Sequence, residues 1–142
     1  MLNISASSTS DSTSRTELDS HADSPVVDKN ATILYKTEMT VNVTPFSDDF
    51  GMMPELPVVH AAVAYDCTIT GNLTILIINN ALYIREMEHN LLPPIIMRLN
   101  GLLVDECPKF LCPNPTIETH YIFIPTENNQ LTLSLHGKNS YI

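Results

Sequence analysis

Glu17-Leu18-Asp19-Ser20-His21-Ala22-Asp23-Ser24-Pro25-Val26-Val27 decides how this chain is read. Leu18 closes a short approach with an apolar anchor, and Val26-Val27 restarts an extended run. Between them Asp19 and Ser20 are residues that favour turns, because their short polar side chains bond to nearby backbone. The stretch predicts a strand, a tight turn and a second strand, with the Asp19 carboxylate held at the turn.

Working outward, residues 1–14 are dominated by serine and threonine, have little to bury, and predict a disordered leader. Residues 31–36 and 39–43 predict two short strands; in the second, Met39, Val41 and Val43 share one face while Thr40, Asn42 and Thr44 share the other. The Pro- and Asp-rich residues 45–57 predict a long loop or hairpin tip, and residues 56–65 another strand. Residues 73–78, apolar and β-branched throughout, predict a central strand buried on both faces. After Asn79-Asn80, residues 81–84 predict a further strand. Residues 85–98 predict a helix whose first part ends near Leu92, because Pro93-Pro94 follows. Downstream, Leu102-Leu103-Val104, residues 121–124 and residues 131–135 predict short strands, the last two pairing as a hairpin around Glu127-Asn128-Asn129. The sum is a mainly β chain.

A length of 142 residues suits one domain with a modest core, and a hydrophobic content of 44% excludes a wholly disordered chain. Sixteen acids against seven bases give a formal charge of −9, with no Lys/Arg cluster to neutralise phosphates, which argues against nucleic-acid binding. Such a field steers basic or neutral peptides more readily than acidic ones. The three cysteines, Cys67, Cys107 and Cys112, are too few and too odd in number for a disulfide-stapled secreted fold. The start lacks a basic region and an apolar run of the signal-peptide kind, and no stretch approaches the ~20 apolar residues of a membrane span. The triplets beginning at Asn3, Asn30, Asn42 and Asn72 fit the glycosylation pattern but have no secretory route. A cytoplasmic location without membrane partners is expected.

The Leu-Asp-Ser-x-Ala pattern at residues 18–22 resembles the active-site loop of retroviral-type aspartic proteases, apolar-Asp-Ser/Thr-Gly-Ala. A second stretch strengthens this. Ala81-Leu82-Tyr83-Ile84-Arg85-Glu86-Met87-Glu88-His89-Asn90-Leu91-Leu92 is similar to the segment that closes the protease of copia-type LTR retrotransposon polyproteins: a Leu-Tyr-Ile strand, a basic residue, Asn-Leu-Leu and a short helix. The resemblance covers roughly residues 13–98. The Leu-Asp-Ser-His-Ala-Asp variant and the downstream residues 100–115 are most similar to copia-type elements of diatoms and other algae.

The resemblance implies a small closed or folded-over β-barrel of retropepsin type with one short helix. It divides the chain into a leader at 1–14, a protease-like domain at 15–98, and a β-rich extension or linker at 99–142. It further implies aspartic endopeptidase chemistry on a polyprotein peptide, with no cofactor and no metal. Two carboxylates about 3 Å apart cannot both ionise, so they share a proton, one acting as base and the other as acid. With one such motif per chain, the second Asp19 must come from a homodimer partner. Ser20 would brace the loop, Ala22 line a subsite, and Asp23 receive substrate backbone or a basic partner. His89 stands where the family has its basic residue before Asn90-Leu-Leu, suggesting a His89–Asp23 ion pair. Phe50 and Gly51 are the candidates for the tip of a flap.

Three departures favour an alternative, a catalytically inactive remnant that only dimerises or binds peptide. His21 replaces the family's glycine, where a Cβ is costly if the backbone is left-handed. Pro25 removes a strand donor. Asp28 stands where a glycine is common.

The same residues have plainer readings. An Asp-Ser-x-Ala-Asp string is most often a solvated turn. Asp19, His21 and Asp23 share a face if extended but have no fourth metal ligand, and Cys107, Cys112 and His120 lack the paired short spacing of a zinc ribbon. His60 reads as a strand residue facing solvent, and Met52-Met53 as a loop anchor. No Gly-x-Ser-x-Gly elbow supports a serine hydrolase.

Overall fold

The computed structural model describes residues 15–44, 51–66, 71–107, 111–112, 114, 116, 118–136 and 139–141. The expected leader at 1–14, Phe50 and Cys67 lie outside the described residues. The strands are β1 (Arg15–Leu18), β2 (Val26–Val27), β3 (Thr32–Val43), β4 (Met53–Asp66), β5 (Leu73–Tyr83), β6 (His89–Leu92), β7 (Leu103–Glu106), β8 (His120–Ile124), β9 (Asn129–Thr132), β10 (Ser134–His136) and β11 (Asn139–Tyr141). A helix, α1, spans Pro94–Leu99. The protein is mainly β, as its runs of β-branched residues predict.

Eight strands form one sheet in the order β10-β11-β1-β6-β2-β5-β4-β3, and β7-β8-β9 form a second. The expected closed barrel is not found: among the described residues the end strands β10 and β3 do not pair. One face of the large sheet is instead covered by the small one. Val59, Ala61 and Val63 alternate along β4 and pack with Ile78 and Ala81 of β5 against Ile122, Leu131 and Leu133. Tyr65 ties the layers by donating its hydroxyl to the Thr132 carbonyl at 2.7 Å.

This layering corrects the expectation for residues 73–78. β5 is covered on one side only, and Leu73, Ile75 and Ile77 are 65%, 52% and 56% exposed. Nor does Asn79-Asn80 end the strand. Asn80 takes a left-handed φ of 55°, the pairing with β4 slips between Val59 and Ala61, and β5 continues to Tyr83. The slip is a bulge, which lets one strand carry an extra residue without breaking the ladder.

The two strands expected between Ala31 and Val43 form one, β3, with register shifts that include one between Lys36 and Thr40. Thr37 bridges that irregularity by donating its hydroxyl to the Val58 carbonyl at 2.8 Å. β3 and β4 make a long antiparallel hairpin that is already paired at Val43 and Met53, so part of the expected 45–57 loop is strand.

The expected helix at 85–98 is mostly something else. Residues 85–88 make a turn, His89–Leu92 is strand β6, and only Pro94–Leu99 is helical. Pro94 occupies the first turn, where a missing N–H is no loss, so the proline pair starts the helix.

The β8–β9 hairpin expected near Tyr121 and Leu131 is present, with Ile122 opposite Leu131. Residues beyond 98 are built into the body. β11 pairs with β1, placing Tyr141 opposite Glu17, and His120 of β8 is fully buried between the Cys107 carbonyl and the Thr119 hydroxyl, at 2.8 and 2.9 Å.

Candidate active site

β1 and β6 run parallel, with Arg15 opposite His89, Thr16 opposite Asn90 and Leu18 opposite Leu92. Leu18 and Leu92 are 4% and 5% exposed, and this apolar pair fixes where the ladder stops. Asp19 is the next residue, and its N–H donates to the Leu92 carbonyl at 3.1 Å. The chain then turns. The Ala22 N–H donates to the Asp19 carbonyl at 3.3 Å, while the His21 N–H donates to Asp19 Oδ1 at 2.9 Å. The carboxylate folds over its own loop as turn-forming aspartates do, and its side chain remains 28% exposed. A single acid is thus presented from a braced loop at the end of a buried strand pair.

Around it, Ser20, His21 and Asp23 are exposed and Ala22 is half-buried. The His21 ring lies 3.7 Å from Asp19 Oδ1 and is 89% exposed. When protonated it forms an ion pair with Asp19, but one this solvated contributes little to stability. At two of the departures the backbone accommodates the residue present. His21 is absent from the positive-φ positions, so its backbone makes no demand for glycine. Pro25 precedes β2 and serves as an acceptor, its carbonyl taking the Leu82 N–H at 2.9 Å.

Asp28, 0% exposed, anchors the far end of the loop. Its N–H donates to Asn90 Oδ1 at 2.8 Å, and its Oδ1 accepts from the Asn30 N–H at 2.8 Å. Asn90 Nδ2 donates in turn to the Thr16 hydroxyl at 3.2 Å. Asn90 therefore clamps β1, β6 and the exit from β2 together. Asn90 thus links β6 to the loop's exit; of the two residues expected to pair, His89 opens β6 half-buried and Asp23 is exposed on the loop. Gly51 sits next to the start of β4 at a φ of 58°, a conformation suited to a hairpin end.

A residue that the sequence did not flag is Glu106 at the end of β7. Burial raises its carboxyl above the ordinary range; Arg98 opposes this, while Asp19 and Asp105 add to it. β7 thus brings a second carboxylate within the electrostatic reach of Asp19, and no local signal marks it because the two are far apart in sequence. A raised acid pKa means that the folded state holds the proton more tightly. Its share of stability is full below about pH 4.5 and is lost as pH rises through the folded value. Glu106→Gln is therefore expected to raise the melting temperature at pH 7, by under about 2 °C after screening, and to leave it unchanged at pH 4. Thermal melts at the two pH values check this.

Among the described residues no group of three His, Cys, Asp or Glu side chains is placed to hold a metal ion. None of their helices is long and apolar enough to cross a membrane. The chain matches no protein-family model, no curated protein and no solved structure.

Proposed function

We propose that this chain is one half of an aspartic endopeptidase of the copia polyprotein kind, assembled as a homodimer that brings two Asp19 carboxylates together. The observation that carries the reading is Asp19 itself, a partly exposed acid at the end of the parallel β1–β6 ladder, on a loop braced by its own side chain and by the Leu92 carbonyl. The β3–β4 hairpin, paired from Thr32 to Val43, would serve as the arm over a bound peptide. In the dimer one carboxylate takes a proton from water as it attacks the peptide carbonyl, and the other gives its proton to the developing oxyanion. The atoms that react are supplied by water, substrate and the two acids, so no cofactor is called for.

The test is digestion of an extended polyprotein peptide by the wild-type chain across a range of protein concentrations, with sedimentation run in parallel. Turnover per chain should climb as dimers form. Dimers that bind the peptide and never cut it favour the inactive remnant, which draws support from the His21 ring set against Asp19. Cleavage at full rate by monomers would overturn the paired-acid mechanism.

His21→Gly separates a harmless ring from an obstructive one. The backbone there needs no glycine, and the N–H bond to Asp19 survives the change. Removing the ring should raise kcat/KM a few-fold, about 0.5–1 kcal/mol in the barrier. A fall in kcat/KM would show that the ring helps hold the carboxylate.

A further inference from the structure

Beside the Asp19 loop lies a cavity of about 550 Å³, bounded by residues 23–25, by residues 76–80 of β5 and by α1. Its size is that of a site for a compact ligand or a pair of side chains. Ile78, Leu92 and Met97 line it and are themselves nearly buried, so its interior is apolar and pre-formed. Asp23, Asn80 and Asn100 are polar groups at the same site.

One wall is a sheet edge that no described strand covers. β2 pairs with β5 only at Leu82 and Tyr83, and no strand among the described residues covers the side of residues 73–80 that faces away from β4. An uncovered edge presents backbone donors and acceptors that a further strand can pair with. A pocket of apolar floor next to such an edge suits an extended peptide better than a compact molecule, because the edge takes the backbone while the pocket takes one side chain.

Two features connect the cavity to the acid. Leu92, which lines it, accepts the Asp19 N–H. Asp23, at its rim, is four residues from Asp19, so their Cα atoms are at most about 14 Å apart, the reach of four extended residues. The Asp23 carboxylate and the chain's charge of −9 favour a cationic neighbour to the buried side chain.

We propose that this cavity is a distal specificity pocket for the peptide substrate. It takes a leucine-like side chain three or four residues from the scissile bond, followed by Lys or Arg, while the flanking backbone adds to the β5 edge. The inference rests on the endopeptidase reading for the word substrate, but not for the binding.

The test keeps the two apart. Binding is read by fluorescence anisotropy of a labelled decapeptide carrying Leu-Lys four residues from its centre, using the Asp19→Asn protein so that nothing is cut. Ile96→Trp fills the mouth from the half-buried face of α1, and should weaken binding about tenfold. Asn100→Lys, an exposed change at the helix end, should do the same for the Leu-Lys peptide but spare a Leu-Glu version. With the catalytically intact chain, the same substitutions should raise KM for the decapeptide and leave kcat alone, with no effect on a tetrapeptide too short to reach. If no peptide is cut yet binding still depends on Ile96 and Asn100, the endopeptidase reading falls and the pocket stands. If cleavage proceeds with no preference for Leu at any distal position and neither variant alters binding, the pocket assignment falls. Self-association that disappears in the Ile96→Trp protein, with no peptide bound, would reassign the edge to a second copy of the chain.

Discussion

Asp19→Asn is expected to abolish peptide hydrolysis, by at least about a thousandfold, while leaving the fold intact. The amide keeps an oxygen where the carboxylate has one, so the His21 N–H still finds an acceptor and the turn to Ala22 is unchanged. The backbone bond from residue 19 to the Leu92 carbonyl involves no side chain and also survives. What is lost is the capacity to take and return a proton. Two facing amides cannot act as base and acid to the same water. The loss should be complete even in mixed dimers of one substituted and one wild-type chain, because a lone acid cannot share a proton with an amide. Sedimentation and thermal melts should match the wild type, since the substituted group is partly exposed and its geometric role is conserved. Residual turnover within tenfold of wild type would mean that hydrolysis uses another group, or that a contaminating protease was measured. A wild type that cuts nothing before the change is made would leave the remnant reading in possession of the site.

The parts of this arrangement that sequence reveals are those set by neighbours along the chain. Asp19 and Ser20 announce a turn, Val26-Val27 a strand, and Tyr121 to Leu131 a hairpin, because each depends on contacts a few residues away. What sequence hides is set across the fold. The side of β5 that stays exposed is decided by where β8 and β9 land, and six apolar or β-branched residues in a row do not say which face will be covered. Asn79-Asn80 reads as a break because asparagine favours turns, yet Asn80 sits in a bulge that β4 absorbs, its N–H on His60 Nδ1 at 3.2 Å. Pro93-Pro94 reads as a stop when the preceding residues are taken as helical. The same prolines are a start signal once Asn90-Leu91-Leu92 is recognised as a strand beside β1. Of the site, the acid and its loop were legible, and so was the importance of Asn90. Its partners, Thr16 and the Asp28 backbone, were not, since each lies more than sixty residues from Asn90.

Asn90→Ala is expected to destabilise the protein by about 2–4 kcal/mol. Asn90 is 3% exposed, and its two amide ends face two buried groups, the Asp28 N–H and the Thr16 hydroxyl. Truncation leaves the Asp28 N–H without its acceptor in a place water does not reach, and an orphaned buried donor costs about 1–3 kcal/mol beyond the bond itself. A small cavity adds to this. The two halves of the clamp can be told apart. Thr16→Val removes only the Nδ2 bond and should cost under about 2 kcal/mol, and Asn90→Asp keeps the acceptor for Asp28 while burying a charge. Urea unfolding at neutral pH checks the series, with the midpoint falling and the slope unchanged if only the folded state is affected. Because Asn90 holds β1 against β6, and the end of that ladder places Asp19, the folded fraction of Asn90→Ala should also show a loosened acid loop and a lower kcat. An Asn90→Ala protein that unfolds within about 0.5 kcal/mol of wild type would mean that the clamp is not what fixes the loop.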